Sequence, residues 1–463
     1  MIRCTHWKTT LILTVLLAAF VLDYLTLHVH PERNLDPSIK QAPSPPSTVR
    51  RFRTTVSPNG GQERLRANSD SILLQVGSSP CDHFETLGVL QAWTGAKNEC
   101  IEYTREFPVL QTVLVRIADY LAWHDKTRRE PLTPELHSNS KIQPTQLRTL
   151  TWRCPQDHPL NCNGYGDRIL SMGYGLLYAA YSERYYTIEW PRSYTNSDKV
   201  IRVFEPRVLQ WDHQLNITST DDRDSCGGRF LYTNASTSEI LSAIFADGSR
   251  YRHVCFNQNR LQYCLGSAAL YLGEDAFTVL CKSSSIRHPI RRLLNGLLVR
   301  LLVKFSSEVQ YRAHKMGVQM GLQPHQYVAV HIRSGLEEEV NASDYRYKLN
   351  RNSNQWRVQV QRAVAVMNSI GLTYPIFLAT DAAEVRTWVQ QHYPGGKVVT
   401  SQLKVLHVAK DLAAEDEEDD SYKENVLQNA AELALLSRAC VIVESRNSHY
   451  SMVASLLSGL PHH

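Results

Sequence analysis

Apolar and polar positions alternate with two different periods along the second half of the chain, and this pattern predicts an α/β fold. Short, continuous apolar runs predict strands that are covered on both faces, as in a parallel sheet. Amphipathic stretches between these runs predict helices. The predicted strands span 327–332, 375–379, 397–400 and 439–443, and the predicted helices span 355–370, 382–391, 425–438 and 451–457.

An earlier segment has the same order of elements. The predicted strand, glycine-containing loop, helix and second strand span 147–153, 161–167, 168–184 and 185–190. A strand, a helix and a second strand in this order form the unit from which parallel sheets are built. The two α/β regions therefore predict two Rossmann-like domains that face a cleft, over 71–310 and 311–463.

The N-terminus differs in composition from the rest of the chain. Residues 9–29 form an apolar segment of about 21 residues, the length that a helix needs to cross the hydrocarbon core of a bilayer. Arg3 and Lys8 precede this segment, so the positive-inside rule places residues 1–8 in the cytosol. A cleaved signal peptide is the alternative, although no small-residue cleavage site ends the run. Residues 30–70, rich in Pro, Ser and Arg, predict a flexible stem.

Cysteines and sequons both indicate the secretory pathway. The chain has 10 cysteines without the spacing of zinc sites, which predicts disulfides formed in an oxidising compartment. Nine of them follow the apolar segment, so at least one lacks an intramolecular partner, and Cys440 in an apolar run is the candidate for a buried thiol. Sequons at Asn216, Asn234 and Asn341 predict N-glycosylation. A net charge of +5 is too small to indicate a nucleic-acid partner.

Three strand-to-helix junctions concentrate polar side chains and glycines. In the first, the strand predicted at 327–332 ends with His331, Arg333 and Gly335. Ligands of open α/β sheets bind at the carboxyl ends of strands. There the guanidinium of Arg333 can offer parallel donors to a diphosphate, and Gly335 lets the backbone approach the ligand. An arginine in an ordinary surface ion pair is the alternative.

The other two junctions combine glycines or hydroxyls with helix N-termini, whose free amides favour anions. The second junction contains Gly164, Gly166, Asp167 and Arg168. A tight turn, with Asp167 as helix cap and a surface-paired arginine, is the alternative there. The third junction, 444–451, contains Asn447 and Ser448. Its hydroxyls and amides could hold a phosphate, or Ser448 or Ser451 could simply cap the last helix.

Other catalytic or metal-binding patterns are weak or missing from the sequence. The six acidic residues at 415–420 are more typical of a solvated loop than of a metal site. No HExxH pair, GxSxG elbow or Walker A sequence occurs. We therefore expect that the protein needs no metal cofactor.

Taken together, the three junctions resemble motifs of the GDP-fucose-dependent fucosyltransferase superfamily, which includes α-1,6-, α-1,2- and protein-O-fucosyltransferases. The segments GYGDRI, HIRSG and LLSRACVIVESRNSHYS occur in the order seen in that group, and FLATD, which ends in Asp381, resembles a further segment. The resemblance covers about 150–460 and implies a GT-B-like fold with the donor held mainly by the C-terminal domain. Ser334 and Leu336 depart from the α-1,6 and α-1,2 patterns, so no subfamily follows.

The resemblance also implies roles for individual residues. Arg333 resembles the arginine that grips the donor's β-phosphate, and His331 resembles a histidine near the nucleoside. Glu432 lies where many members place an aspartate against the guanine, and Ser448 resembles a serine that caps a phosphate. The glycine loop at 164–168 resembles the loop that faces the cleft from the N-terminal domain. The predicted donor site comprises His331, Arg333, Gly335, Asp381, Glu432, Asn447 and Ser448.

The reaction that the resemblance implies is an inverting transfer of fucose from GDP-fucose to a glycan or glycoprotein hydroxyl in the Golgi lumen. Arg333 would stabilise the charge that grows on the leaving diphosphate. One of Glu337, Glu338 and Glu339 is the candidate general base, with three solvated carboxylates as the alternative. Two other functions stay open: a Golgi glycosyltransferase with another nucleotide sugar, and a non-catalytic, membrane-anchored glycan-binding protein.

Enzymatic deglycosylation tests the predicted orientation. If residues 1–8 are cytosolic, Asn216, Asn234 and Asn341 lie in the lumen. Treating the expressed full-length protein with an N-glycosidase should then increase its electrophoretic mobility. A variant with Asn→Gln at all three sequons is the control, because it should not shift. An unshifted protein with intact sequons would contradict the orientation.

Overall fold

The part of the chain that the computed structural model describes lies between residues 79 and 458. It comprises 79–90, 96–129, 147–153, 164–189, 203–212, 230–231, 237–245, 253–256, 272, 289–333, 355–371, 373–401, 420–445 and 448–458. All of these stretches belong to one unit, Leu74–His463. The predicted tail, anchor and stem, and the three sequons, lie outside the described residues. No helix within these stretches is long and apolar enough to cross a membrane.

The N-terminal half contains a four-stranded parallel sheet. Its elements are α1 (Pro80–Thr86), α2 (Ala96–Glu106), α3 (Pro108–Arg129), β1 (Thr149–Arg153), α4 (Tyr165–Ser182), β2 (Tyr185–Glu189), β3 (Phe204–Pro206), β4 (Phe230–Leu231), α5 (Thr237–Phe245) and β5 (His253–Phe256). The strand order is β2-β1-β5-β4, with parallel pairing throughout. Because α4 connects β1 to its parallel neighbour β2, the β-α-β unit predicted for 147–190 is confirmed.

The C-terminal half contains a second four-stranded parallel sheet. Its elements are α6 (Pro289–Leu302), β6 (Val303–Phe305), α7 (Ser307–Gln319), β7 (Val328–Ile332), α8 (Gln355–Ser369), β8 (Ile376–Thr380), α9 (Ala383–His392), β9 (Val398–Thr400), α10 (Asp420–Ser437), β10 (Val441–Val443) and α11 (His449–Ser458). The strand order is β10-β7-β8-β9, again parallel. The predicted alternation of strands and helices is confirmed. The predicted domain boundary between residues 310 and 311 falls inside α7.

Opposite faces of β7 pack against different helices. Val328, Val330 and Ile332 belong to a core with α8 and α9, whereas Ala329 belongs to the larger core that includes α10 and α11. Both faces are covered, so the strand is continuously apolar instead of alternating. Because side chains alternate along a strand, His331 lies on the same face as Ala329, towards α10 and α11.

Cysteine pairs and a buried arginine tie distant segments together. Cys81 and Cys100 form a disulfide that joins α1 to α2, and Cys255 in β5 is also disulfide-bonded. The thiol of Cys440, predicted to be buried, is only half-buried, because it lies at the rim of the core formed with α8 and α9. Arg300 in α6 is buried and donates to the carbonyls of Val89 and Leu456 at 2.7 and 2.6 Å. This guanidinium therefore links the segment after α1 to the last helix.

Candidate functional site

All four strands of the second sheet end next to a polar residue. Because parallel strands point the same way, these residues share one edge of the sheet. We call it the carboxyl edge and define it by Arg333 after β7, Asp381 after β8, Ser401 after β9 and Ser445 after β10. Three of these four residues are buried, namely Asp381, Ser401 and Ser445.

The strand order of this sheet reverses between β7 and β10. β7, β8 and β9 follow one another outward, whereas β10 lies on the other side of β7. In open parallel sheets, a ligand crevice forms outside the carboxyl ends of the two strands where the order reverses. Here the described residues that follow those two strands are Arg333 after β7 and Glu444 and Ser445 after β10.

Arg333 is braced from both neighbouring strands. Its Nε lies 3.3 Å from Oδ2 of Asp381, and its backbone N–H donates to Oγ of Ser445 at 3.4 Å. The Asp381 side chain is only 5% exposed, whereas the Arg333 side chain is 27% exposed. An ordinary surface ion pair has two exposed partners and little fixed geometry. In contrast, the Arg333 guanidinium is held in place by a buried carboxylate, while part of the Arg333 side chain remains exposed to solvent.

His331 carries a buried nitrogen without a partner. The residue is 6% exposed, and its Nδ1 has no hydrogen-bond partner among the described residues. Burial lowers the pKa of His331 to about 4, opposed by the charge of Asp381 and reinforced by that of Arg333. The imidazole is therefore neutral at physiological pH. An unsatisfied buried nitrogen costs free energy until a ligand or water supplies its hydrogen bond.

Glu432 approaches the same region from α10. Its Oε1 accepts a hydrogen bond from Oγ of Ser401 at the carboxyl edge. Burial raises the pKa of Glu432 to about 7, and the nearby Arg386 opposes this shift. The carboxyl group therefore changes charge near neutral pH. When ionised it only accepts hydrogen bonds, and when protonated it can also donate one.

Tyr450 connects these groups, and the sequence interpretation did not select it. Its ring centroid lies 5.2 Å from that of His331. Burial of the Tyr450 hydroxyl, reinforced by the nearby Glu432, raises the pKa of the phenol. The signal for Tyr450 in the sequence is its place in the third junction, among the hydroxyls and amides of that segment.

The first turns of α4 and α11 meet at a glycine. A Cβ built on Gly166 would lie 2.4 Å from the carbonyl carbon of His449 and 2.7 Å from the backbone N of Tyr450. The missing side chain therefore allows two helix backbones to approach. Gly164 is the N-cap of α4, with no atoms within 4 Å of a Cβ built there. This contact brings the second and third junctions together.

Two alternatives for the second junction are wrong. Asp167 does not cap α4, because Gly164 is the N-cap. Oδ1 of Asp167 instead lies 2.5 Å from Nδ1 of His449 across the helix contact. Arg168 is not a surface residue, because it is only 2% exposed. In the third junction, Ser448 directly precedes α11, and its N–H donates to the carbonyl of Ser445 at 3.3 Å.

The predicted site residues fall into two sets. Those at or near the carboxyl edge and the helix contact are His331, Arg333, Asp381, Glu432, Ser448, Gly164, Gly166, Asp167 and Arg168. Those outside the described residues are Gly335, Glu337, Glu338, Glu339 and Asn447. Among the residues that the structure describes, no group of three or more His, Cys, Asp or Glu side chains is arranged to hold a metal ion.

Comparison with known proteins gives structural likenesses only. No family model and no curated protein matches the chain. NodZ α-1,6-fucosyltransferase from Bradyrhizobium, soaked with GDP-fucose, matches over 67% of this chain and 93% of its own (17% identity, TM-score 0.37). A variant of Arabidopsis thaliana FUT1 in complex with GDP matches over 76% of this chain and 78% of its own (14% identity, TM-score 0.44). POFUT1 in its apo form matches over 70% of this chain and 98% of its own (14% identity, TM-score 0.35).

The two glycines at the start of α4 offer a matched stability test. Gly166→Ala should destabilise the protein by about 3 kcal/mol or more, because the new methyl group overlaps backbone atoms that cannot rotate away. Gly164→Ala should cost at most about 1 kcal/mol, the preference of an N-cap for glycine over alanine. Denaturant unfolding of both variants measures the difference. Equal stabilities would show that the helices do not approach at Gly166.

Proposed function

We propose that this chain is a glycosyltransferase that transfers fucose from GDP-fucose to a hydroxyl of a glycan or glycoprotein. The observation that carries this proposal is the braced Arg333 at the crevice between β7 and β10. A guanidinium held by a buried carboxylate, with the N-terminus of α11 beside it, suits a diphosphate ligand. The order of the sequence motifs supports fucose as the sugar and GDP as the nucleotide.

The nucleoside would lie along the face of the sheet that carries His331 and Glu432. The unpartnered Nδ1 of His331 is a hydrogen-bonding position that a ligand can fill. Guanine presents two neighbouring N–H groups, and a carboxylate in the position of Glu432 can accept from both. Ser448 and the first amides of α11 would contact the phosphates. These assignments follow the resemblance, with Glu432 in place of the more usual aspartate.

The two sheets would act as two Rossmann-like domains of a GT-B-like enzyme, with a cleft between them. The C-terminal sheet would bind the donor, and the N-terminal half, with the glycine loop at 164–168, would face the acceptor. Residues 9–29 would anchor the protein as a single-pass type II membrane protein, with its catalytic part in the Golgi lumen. Sequons, cysteines and the charges before the anchor support this location.

The chemistry would be an inverting displacement. An acceptor hydroxyl attacks the anomeric carbon of fucose while the bond to GDP breaks, and negative charge grows on the departing diphosphate. Arg333 would stabilise that charge more strongly in the transition state than in the ground state, which is what accelerates a reaction. The sequence offers Glu337, Glu338 and Glu339 as candidates for the general base, and these residues lie outside the described part of the chain.

Replacing Arg333 by lysine tests the donor site. A lysine keeps the charge but cannot reach both Asp381 and a diphosphate with a planar fork of donors. Arg333→Lys should lower fucose transfer by the purified lumenal protein about a hundredfold, the usual cost of one lost transition-state contact. Its melting temperature should stay close to that of the wild type. Turnover and thermal unfolding are the two measurements.

Arg312→Lys is the matched control for this experiment. Arg312 also pairs with carboxylates, Glu308 and Glu424, and its side chain is similarly exposed at 24%. It lies on α7, which contributes no residue to the carboxyl edge, so its replacement should leave transfer unchanged. Near-normal turnover of Arg333→Lys at unchanged stability would mean that Arg333 is a structural ion-pair partner. The donor-site assignment would then have to be withdrawn.

Chelation tests how the diphosphate charge is stabilised. If Arg333 and helix N-termini perform this role, transfer should persist in excess EDTA, because none of these groups needs a metal ion. Initial rates with and without EDTA are the measurement. Loss of activity that manganese restores would instead point to a metal site, with the acidic residues at 415–420 as the first place to look.

A further inference from the structure

The pair formed by His449 and Asp167 has no role in the donor site described above. Nδ1 of His449 lies 2.5 Å from Oδ1 of Asp167, and the two side chains are 22% and 26% exposed. The residues are 282 positions apart in sequence, and they meet where the first turns of α4 and α11 touch. A carboxylate-bound imidazole that solvent can reach is a recurrent arrangement for proton transfer.

The hydrogen bond determines which nitrogen of His449 is basic. A carboxylate only accepts hydrogen bonds, so Nδ1 must carry the proton that binds Asp167. In the neutral ring the lone pair is then on Nε2. No described residue forms a hydrogen bond with Nε2. Asp167 thus holds the ring in one tautomer and orientation, with its basic nitrogen open to another molecule.

His449 is connected to the donor side by short contacts. The next residue, Tyr450, lies against His331 with ring centroids 5.2 Å apart. On the other side, the N–H of Ser448 donates to the carbonyl of Ser445, whose hydroxyl accepts from the backbone of Arg333. Asp167, in contrast, belongs to α4 of the N-terminal half. The imidazole therefore lies at the border between the donor side and the proposed acceptor side.

We propose that His449 is the general base that deprotonates the acceptor hydroxyl and that Asp167 is its positioning residue. This inference rests on the proposed function. In the step, the acceptor O–H gives its proton to Nε2 of His449, and the acceptor oxygen forms a bond to the anomeric carbon of fucose. The bond from that carbon to the β-phosphate oxygen breaks, and its electron pair leaves with GDP, whose charge Arg333 stabilises.

A purely structural role for the pair predicts a different result. If the hydrogen bond only connects α4 to α11, any residue at position 449 that preserves this bond should preserve activity. Asparagine is such a residue, because its side-chain amide N–H can take the place of the Nδ1 N–H while nothing replaces Nε2. His449→Asn therefore keeps the hydrogen bond to Asp167 and removes the basic nitrogen.

The decisive measurement is transfer by His449→Asn. We expect kcat to fall by about a hundredfold or more, the usual contribution of a general base. The melting temperature and the Kd for GDP, measured by calorimetry, should stay unchanged. Imidazole in solution should partly restore transfer by His449→Ala, because it supplies the missing base. His314→Asn, at an exposed position on α7, is the matched control and should behave like the wild type.

Asp167→Asn tests the positioning role separately. An amide can donate to the wrong nitrogen and favour the other tautomer, so kcat should fall by about tenfold or more. KM for GDP-fucose should stay within about twofold, because the donor contacts are not touched. A simple loss of the hydrogen bond between the helices would lower stability and affect KM and kcat together, which would contradict positioning.

The results separate this inference from the proposed function. If the wild-type protein neither binds GDP-fucose nor transfers fucose, the proposed function and this inference both fail. If the wild type transfers fucose and His449→Asn does so at a normal rate, only this inference fails. A triple Glu337→Gln, Glu338→Gln, Glu339→Gln variant is the comparison. Loss of transfer in that variant, with normal transfer in His449→Asn, would assign the base to the glutamates.

Discussion

The contact between the backbones of α4 and α11 at Gly166 brings the polar groups of the two halves together. Asp167 belongs to α4 of the N-terminal half, whereas His449 and the carboxyl edge belong to the C-terminal half. The contact is possible because residue 166 has no side chain, and it positions Asp167 against His449. Further along α11, side-chain hydrogen bonds hold Ser455. Arg292 donates to Ser455, and Ser455 donates to the buried carboxylate of Glu444.

At the carboxyl edge, the charge of Arg333 is paired with the buried carboxylate of Asp381. Burying ions is costly unless each has a partner, and Asp381, the more deeply buried member, has Arg333. The neutral His331 adds no charge, because burial lowers its pKa to about 4. Since Asp381 offsets much of the charge of Arg333, the guanidinium alone would not balance a diphosphate. In the proposed donor site, the amides at the start of α11 would supply further positive potential.

Much of the fold could be predicted from the sequence, because buried parallel strands leave a strong local signal. β7 and β8 are apolar at nearly every position, and the helices between strands show a clear amphipathic period. The weaker strands were missed. They are β3, β4, β5 and β6, which are two to four residues long and follow no predicted helix, whereas the equally short β9 and β10 each follow one. α10 begins at Asp420, five residues earlier than expected from its apolar pattern, because acidic residues favour the start of a helix without an apolar face.

The site was only partly predictable, for a different reason. His331 and Arg333 stand at a strand end, and Gly164 and Gly166 stand at a helix start, so their place in the sequence indicated their place in the fold. The partners of these residues are distant in sequence. Nothing local shows that Asp167 meets His449, or that Ser401 donates to Glu432. Such contacts depend on how whole elements pack, and a periodic pattern carries no information about that.

The short segment from Ser445 to Tyr450 finally explains why these groups form one site. Ser445 contacts the backbone of Arg333, His449 contacts Asp167, and Tyr450 contacts His331. Ser445 and the first turn of α11 thus lie beside the proposed phosphate, acceptor and nucleoside positions. His449 and Tyr450 both belong to that first turn, so a shift of the turn would move their contacts with Asp167 and His331 together. The same segment that would bind the donor would then also set the position of the base, because both functions share one helix start.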